Sequence, residues 1–202
     1  RRQRQMCIRD SKGVYTKPSF IEKIEDKNGT ILFQSNPEIK DVLSEEAAYV
    51  TVNLLEGVTT AGSGTRLRTV GADEYNRAYQ KVVTGYPYEF KNPIAGKTGT
   101  TQNQSDGWFI GMVPNLVTGV WVGAEDRAIH FEDIAYGQGA TMALPIWANY
   151  MRSIYLDTTL MISKEPFEKP DILNIQLDCN KFVIDSIGSG KTTDQEIQDI
   201  DF

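Results

Sequence analysis

The sequence predicts an α+β fold in which an antiparallel sheet is covered by helices. Three observations carry that expectation. Three short apolar or small-residue segments, Ile94 to Thr101, Trp108 to Val113 and Leu116 to Gly123, are separated only by Asn103-Gln104-Ser105-Asp106 and Pro114-Asn115. Connections that short suit antiparallel neighbours, not parallel crossovers, so the simplest reading is a meander. Two further stretches repeat apolar residues at helical spacing, and a composition of 40% hydrophobic and 24% charged residues over 202 positions is that of a chain able to bury one substantial core.

Along the chain, Phe20 to Ile24 and Thr30 to Phe33 flank Asp26-Lys27-Asn28-Gly29, where Asn-Gly supplies the positive φ angles of a hairpin turn. Ser44 can cap the next element, a helix whose first turn carries Glu45 and Glu46 and whose core face is expected at Ala47, Thr51, Leu54 and Val58. Gly62 and Gly64 should stop it. The Gly62 to Thr65 stretch is then either a plain helix stop or a loop that reaches a cleft. Residues 66–93 read as a long irregular excursion. After the meander a second helix is expected over Ala140 to Tyr155, with Leu144, Trp147, Met151 and Ile154 on one stripe and Pro145 tolerated in its first turn. From Asp157 the apolar periodicity weakens, and residues 157–202 read as an acidic, partly ordered tail.

Composition excludes several classes of function. A net charge of -6 and a pI near 4.9 leave no surface for nucleic acid, which needs clustered Lys and Arg to release counterions. No apolar run approaches the roughly 20 residues of a membrane span. The two cysteines, Cys7 and Cys179, and the one histidine, His130, lie at no metal-ligand spacing, so no metal and no cofactor are expected, and His130 reads as a loop or surface residue. The basic run at residues 1–11 contains Met6-Cys7-Ile8-Arg9-Asp10-Ser11, which resembles the translation of ATG-TGT-ATA-AGA-GAC-AG, the end of a transposon adapter common in sequencing libraries. Adapter read-through is the expectation there, with a disordered basic arm as its rival. The main unit is then 12–156.

The chemistry concentrates in Ala95-Gly96-Lys97-Thr98-Gly99-Thr100-Thr101. A strand presenting Lys97, two hydroxyls and a glycine offers a cation and donors for a carboxylate, plus a place where a substrate backbone can approach. A phosphate would fit equally, but the phosphate-loop pattern fails, because Lys91 stands where its first glycine belongs. A second decoy, Gly188 to Thr193, fails likewise at Asp185. Thr101, Trp108, Phe109, Trp121 and Trp147 are expected to serve packing, and Asp106 to bond nearby backbone N–H groups in a turn.

Lys97-Thr98-Gly99-Thr100 resembles the K-T-G element of the serine acyltransferases that include penicillin-binding proteins and serine β-lactamases. The succession Asp106-Gly107-Trp108-Phe109-Ile110-Gly111, Gly119-Val120-Trp121-Val122-Gly123 and Ala143-Leu144-Pro145-Ile146-Trp147 is similar to the C-terminal part of the transpeptidase domain in class A, bifunctional penicillin-binding proteins. The likeness covers roughly residues 12–156 and implies a partial penicillin-binding fold. It also implies a parent that is an extracytoplasmic, membrane-anchored D,D-transpeptidase with an upstream glycosyltransferase domain. Its partners would be peptidoglycan stem peptides and β-lactams. In such a site Lys97 tunes the electrostatics, Thr98, Gly99 and Thr100 bind substrate, and the Thr100 backbone N–H is half of an oxyanion hole. The other two family motifs are missing: no serine is followed by Lys three places on or by Asn two places on. The nucleophile is therefore absent from these residues, and the chain alone is expected to be inactive. A serine β-lactamase-like hydrolase and a noncatalytic peptidoglycan- or partner-binding module are the alternatives.

Overall fold

The computed structural model describes residues 12–68 and 79–178. Strand β1 (Val14–Thr16) pairs antiparallel with β4 (Ile39–Asp41), and the intervening chain forms a hairpin of β2 (Lys23–Glu25) and β3 (Ile31–Gln34). The hairpin turn is held by Asp26, whose Oδ1 accepts the N–H groups of Asn28 (2.8 Å) and Thr30 (2.9 Å), while Gly29 takes φ +85°. Every residue of β2 and β3 is exposed, so this hairpin adds little to the core.

Helix α1 (Glu45–Ala61) begins where Ser44 Oγ accepts the Ala47 N–H. Its buried positions are Ala48, Val52 and Thr59, and Leu54 is 69% exposed. The stripe expected at Ala47, Thr51, Leu54 and Val58 is therefore displaced by one residue, because the row facing the sheet is the neighbouring one. Past the helix, Gly62 and Gly64 both donate to the Val58 carbonyl (3.2 and 2.9 Å), folding the chain back on the last turn.

Strands β5 (Ala95–Thr100), β6 (Asp106–Val113) and β7 (Leu116–Gly123) form an antiparallel sheet in that order, as the meander reading requires. Side chains alternate between its faces. Ala95 and Met112, paired across β5 and β6, pack with Val52 of α1. The opposite face, with Phe109 and Val113, packs on α3 (Gly139–Leu156) through Leu144, Trp147 and Met151. The two helices thus cover opposite faces. A four-residue helix, α2 (Ile134–Gly137), precedes α3 and is capped by Asp133.

Helix α3 starts at Gly139, one residue before its expected limit, and Pro145 lies in its second turn, not in the first as expected; counted even from Ala140 it falls beyond the first turn. Trp147 is fully buried: its Nε1–H donates to Thr118 Oγ1 at 2.6 Å, and its ring occupies the space that a Cβ on Gly111 would need. Much of the excursion is also core. Tyr79, Tyr86, Tyr88 and Phe90 are buried, with edge-to-face contacts at 4.9 Å for Tyr79–Tyr86 and 5.6 Å for Tyr86–Tyr88. Arg68 ties this segment down by donating to Thr59 Oγ1 (3.1 Å) and to the carbonyls of Phe90 (3.2 Å) and Asn92.

Beyond α3, residues 157–178 return across the molecule. Phe167 packs against the Val52, Ala95 and Met112 cluster, and Glu46 accepts the backbone N–H groups of Asn174 and Ile175. No helix among the described residues is long and apolar enough to cross a membrane. The basic run at 1–11 and the Gly188 to Thr193 decoy lie outside the described residues.

Candidate functional site

Strand β5 is the edge of its sheet, and alternation decides what that edge offers. In an antiparallel pair, successive residues direct their backbone groups alternately toward and away from the partner. Thr101 N–H donates to Asp106 O at 3.0 Å, toward β6. Ile94 O, of opposite parity, accepts from Thr59 Oγ1 of α1 at 2.6 Å, on the other side. By the same alternation the N–H groups of Thr98 and Thr100 point to the open edge.

The side chains gather there. Lys97 is exposed, and its Nζ donates to Thr98 O at 2.8 Å, so the ammonium sits on the open edge. The Thr98 hydroxyl lies 2.6 Å from that of Ser63, in the loop that ends α1. The Thr100 hydroxyl accepts the N–H of Gly139, the first residue of α3, at 3.0 Å. A hydroxyl whose acceptor side is engaged this way keeps its own proton free for an anion, and the positive end of the helix strengthens that tendency. Gly99 has a packing reason beside the expected functional one: a Cβ there would lie 3.2 Å from Cβ of Trp108.

The end of β5 is locked by Asp106. Its backbone N–H donates to Thr101 Oγ1 (2.8 Å), and its carboxylate takes hydrogen bonds from Trp121 Nε1–H (2.9 Å) and from the Ser105 and Thr101 hydroxyls (3.2 Å each), with Arg127 at 3.7 Å. The Trp121 bond leads in holding this carboxyl below the usual carboxylate range. Asp106 was expected to bond backbone N–H groups, but its partners are side chains. Thr101 belongs to this lock. Phe109 and Trp147 are core, as expected, whereas Trp121 is 47% exposed and leans on Trp108 with ring centroids 6.3 Å apart.

The structure therefore brings Lys97, Thr98 and Thr100 together on one open edge and adds two groups. Ser63 was legible only as one of two readings of the Gly62 to Thr65 loop, and that loop does reach the edge. Gly139 carried no motif; only its place at the start of α3 signals it. His130 stands apart, exposed, with Nδ1 beside Phe131 O. No cluster of metal-ligating side chains occurs among the described residues.

Strand β5 thus presents the Lys97 cation, the Thr98 and Thr100 hydroxyls and outward N–H groups along one edge, with helices on both faces of its sheet, an arrangement able to hold an anionic group such as a carboxylate. Residues 10–152 match the family model described as the penicillin binding protein transpeptidase domain, and the chain belongs to that family. Several curated relatives bear the name penicillin-binding protein 1A. Penicillin-binding protein 1A of Aquifex aeolicus (strain VF5) is 35% identical over 158 residues, covering 78% of this chain and 18% of the relative. The protein of the same name from Clostridium acetobutylicum is 28% identical over 148 residues, covering 73% and 15%. The chain thus spans less than a fifth of these relatives.

Solved structures share the fold. Penicillin-binding protein 1A from Haemophilus influenzae aligns with a TM-score of 0.60 at 23% identity, covering 85% of this chain and 27% of that one. The PonA1 protein from Mycobacterium tuberculosis in complex with penicillin V aligns at 0.55 and 24%, covering 84% and 40%.

Proposed function

We propose that this chain supplies the substrate-side wall of a peptidoglycan D,D-transpeptidase of the 1A type. The observation that carries the reading is the open edge of β5, where Lys97 Nζ, the hydroxyls of Thr98 and Thr100 and the outward Thr100 N–H stand together.

In this reading a serine of the longer protein, in its S-x-x-K motif, attacks the carbonyl of the penultimate D-alanine in a stem peptide. The Ser–O–C bond forms, the peptide C–N bond breaks, and the terminal D-alanine leaves with a proton on its amine. An amine of a neighbouring peptide then attacks the ester, forms the cross-link and releases the serine. The residues of this chain do three things in that sequence. Lys97 supplies a positive potential beside the nucleophile. The Thr98 and Thr100 hydroxyls donate to the terminal carboxylate. The Thr100 N–H donates to the developing oxyanion, an interaction worth about 100- to 1,000-fold in rate for a single donor of this kind.

A β-lactam, whose carboxylate stands in for that of the peptide, enters by the same contacts and leaves the serine acylated. The longer protein carries a glycosyltransferase domain and a membrane anchor upstream and works on the extracytoplasmic face of the membrane. Support for this placement is the 1A name of the relatives and their greater length. Labelling with a fluorescent penicillin tests the reading: the full-length protein labels covalently and the 202-residue chain does not. Labelling of the isolated chain, or rapid turnover of the label by the full-length protein, would contradict it, the second outcome marking a hydrolase.

A further inference from the structure

We infer that Ser63 is a positioning residue of the carboxylate subsite, setting the preference of this site for substrates that bear a free carboxylate. The inference rests on the transpeptidase reading and adds to it a residue outside the K-T-G strand.

Ser63 is exposed, and its hydroxyl lies 2.6 Å from that of Thr98, a short distance even for two hydroxyls. The contact joins residues 35 apart in sequence. It is built in by the loop: Gly62 and Gly64, on either side of Ser63, both donate to Val58 O, and a Cβ on Gly62 would lie 2.9 Å from Val58 Cα. The serine is therefore held at one place over β5. Its helix is held in turn by Thr59, which donates to Ile94 O at the start of the same strand.

Two hydroxyls carry two protons, and one is consumed in the bond between them. If Ser63 donates, the Thr98 proton is free and Thr98 oxygen is polarised to release it toward an anion. If Thr98 donates, the free proton is on Ser63. In both arrangements one donor remains at the open edge, beside the Lys97 ammonium that sits on the Thr98 carbonyl. An incoming carboxylate selects the first arrangement, giving a chain from Ser63 to Thr98 to the anion in which each bond strengthens the next. An uncharged ester gains far less from it, because hydrogen bonds to a charged acceptor are roughly twice as strong as neutral ones. Ser63 thus acts through Thr98 and discriminates charge.

The test compares second-order acylation rates of the full-length protein by benzylpenicillin and by its methyl ester, read as competition with a fluorescent penicillin. Ser63→Ala should slow acylation by the free acid about tenfold while changing the ester less than about twofold. Ser63→Thr, which keeps the hydroxyl, should restore the acid rate. Equal losses on both ligands would reveal a merely structural residue and overturn the inference, as would an acid-to-ester ratio unchanged by Ser63→Ala. Absence of any acylation of the unsubstituted protein would overturn the transpeptidase reading as well.

Discussion

Asp106 shows how a single residue outside the motif holds the motif in place. Its carboxylate joins the turn after β5 to Trp121 on β7, and the Trp121, Ser105 and Thr101 hydrogen bonds all favour the ionised form, with the Arg127 charge adding a little. The folded-state carboxyl is thus depressed below its ordinary value of 3.8. A depressed carboxyl contributes stability that is present above the unfolded-state pKa and is lost as pH falls through the folded-state one, since the unfolded chain binds more protons in that window. Asp106→Asn should therefore melt below the unsubstituted chain near pH 6, and the gap should close below about pH 4. A gap that is constant with pH, or widens in acid, would show that the charge is not what holds the turn. The motif could be read from the sequence because the segments after it, Asp106 to Gly111, Gly119 to Gly123 and Ala143 to Trp147, narrow what Lys-Thr-Gly alone leaves open. Ser63 could not be separated from a helix stop, since the glycines that place it also end α1.

At the scale of elements, the contact between α3 and β5 does the positioning. Gly139 lies so close to the sheet that a Cβ would press on the backbone oxygens of Gly99 and Trp108, 2.5 Å from the latter. Backbone cannot swing aside as a long side chain can. Gly139→Ala should therefore cost about 1–3 kcal/mol, seen as a fall of about 2–4 °C in Tm for each kcal/mol. A melting temperature equal to that of the unsubstituted chain would mean that α3 does not seat this closely on the strand. The meander and both helices were legible because turn residues and apolar spacing act locally. The face of α1 was not: Ala47-Thr51-Leu54-Val58 and Ala48-Val52-Leu55-Thr59 are adjacent rows of similar apolarity, and only the sheet chooses between them. Trp121 misled for the same reason, since whether anything covers the outer face of β7 is settled by tertiary packing. The excursion gave no periodic signal, yet its aromatic residues join the core through contacts with α3 that lie far off in sequence.

Taken whole, the molecule is a sheet between two helices whose edge strand is open and whose front hairpin lies bare. Ile24, Ile31, Leu32 and Phe33 are all exposed on that hairpin. The family and the fold agree, and the chemistry proposed for β5 calls for the nucleophilic serine of an S-x-x-K motif, a pattern that these 202 residues do not contain. The most direct measurement is peptide mapping by mass spectrometry of the full-length protein after acylation with benzylpenicillin. One adduct is expected, on a serine of an S-x-x-K motif outside these 202 residues, formed more slowly when Thr100 is replaced by Val. An adduct on any residue of this chain, or acylation indifferent to Thr100→Val, would contradict it.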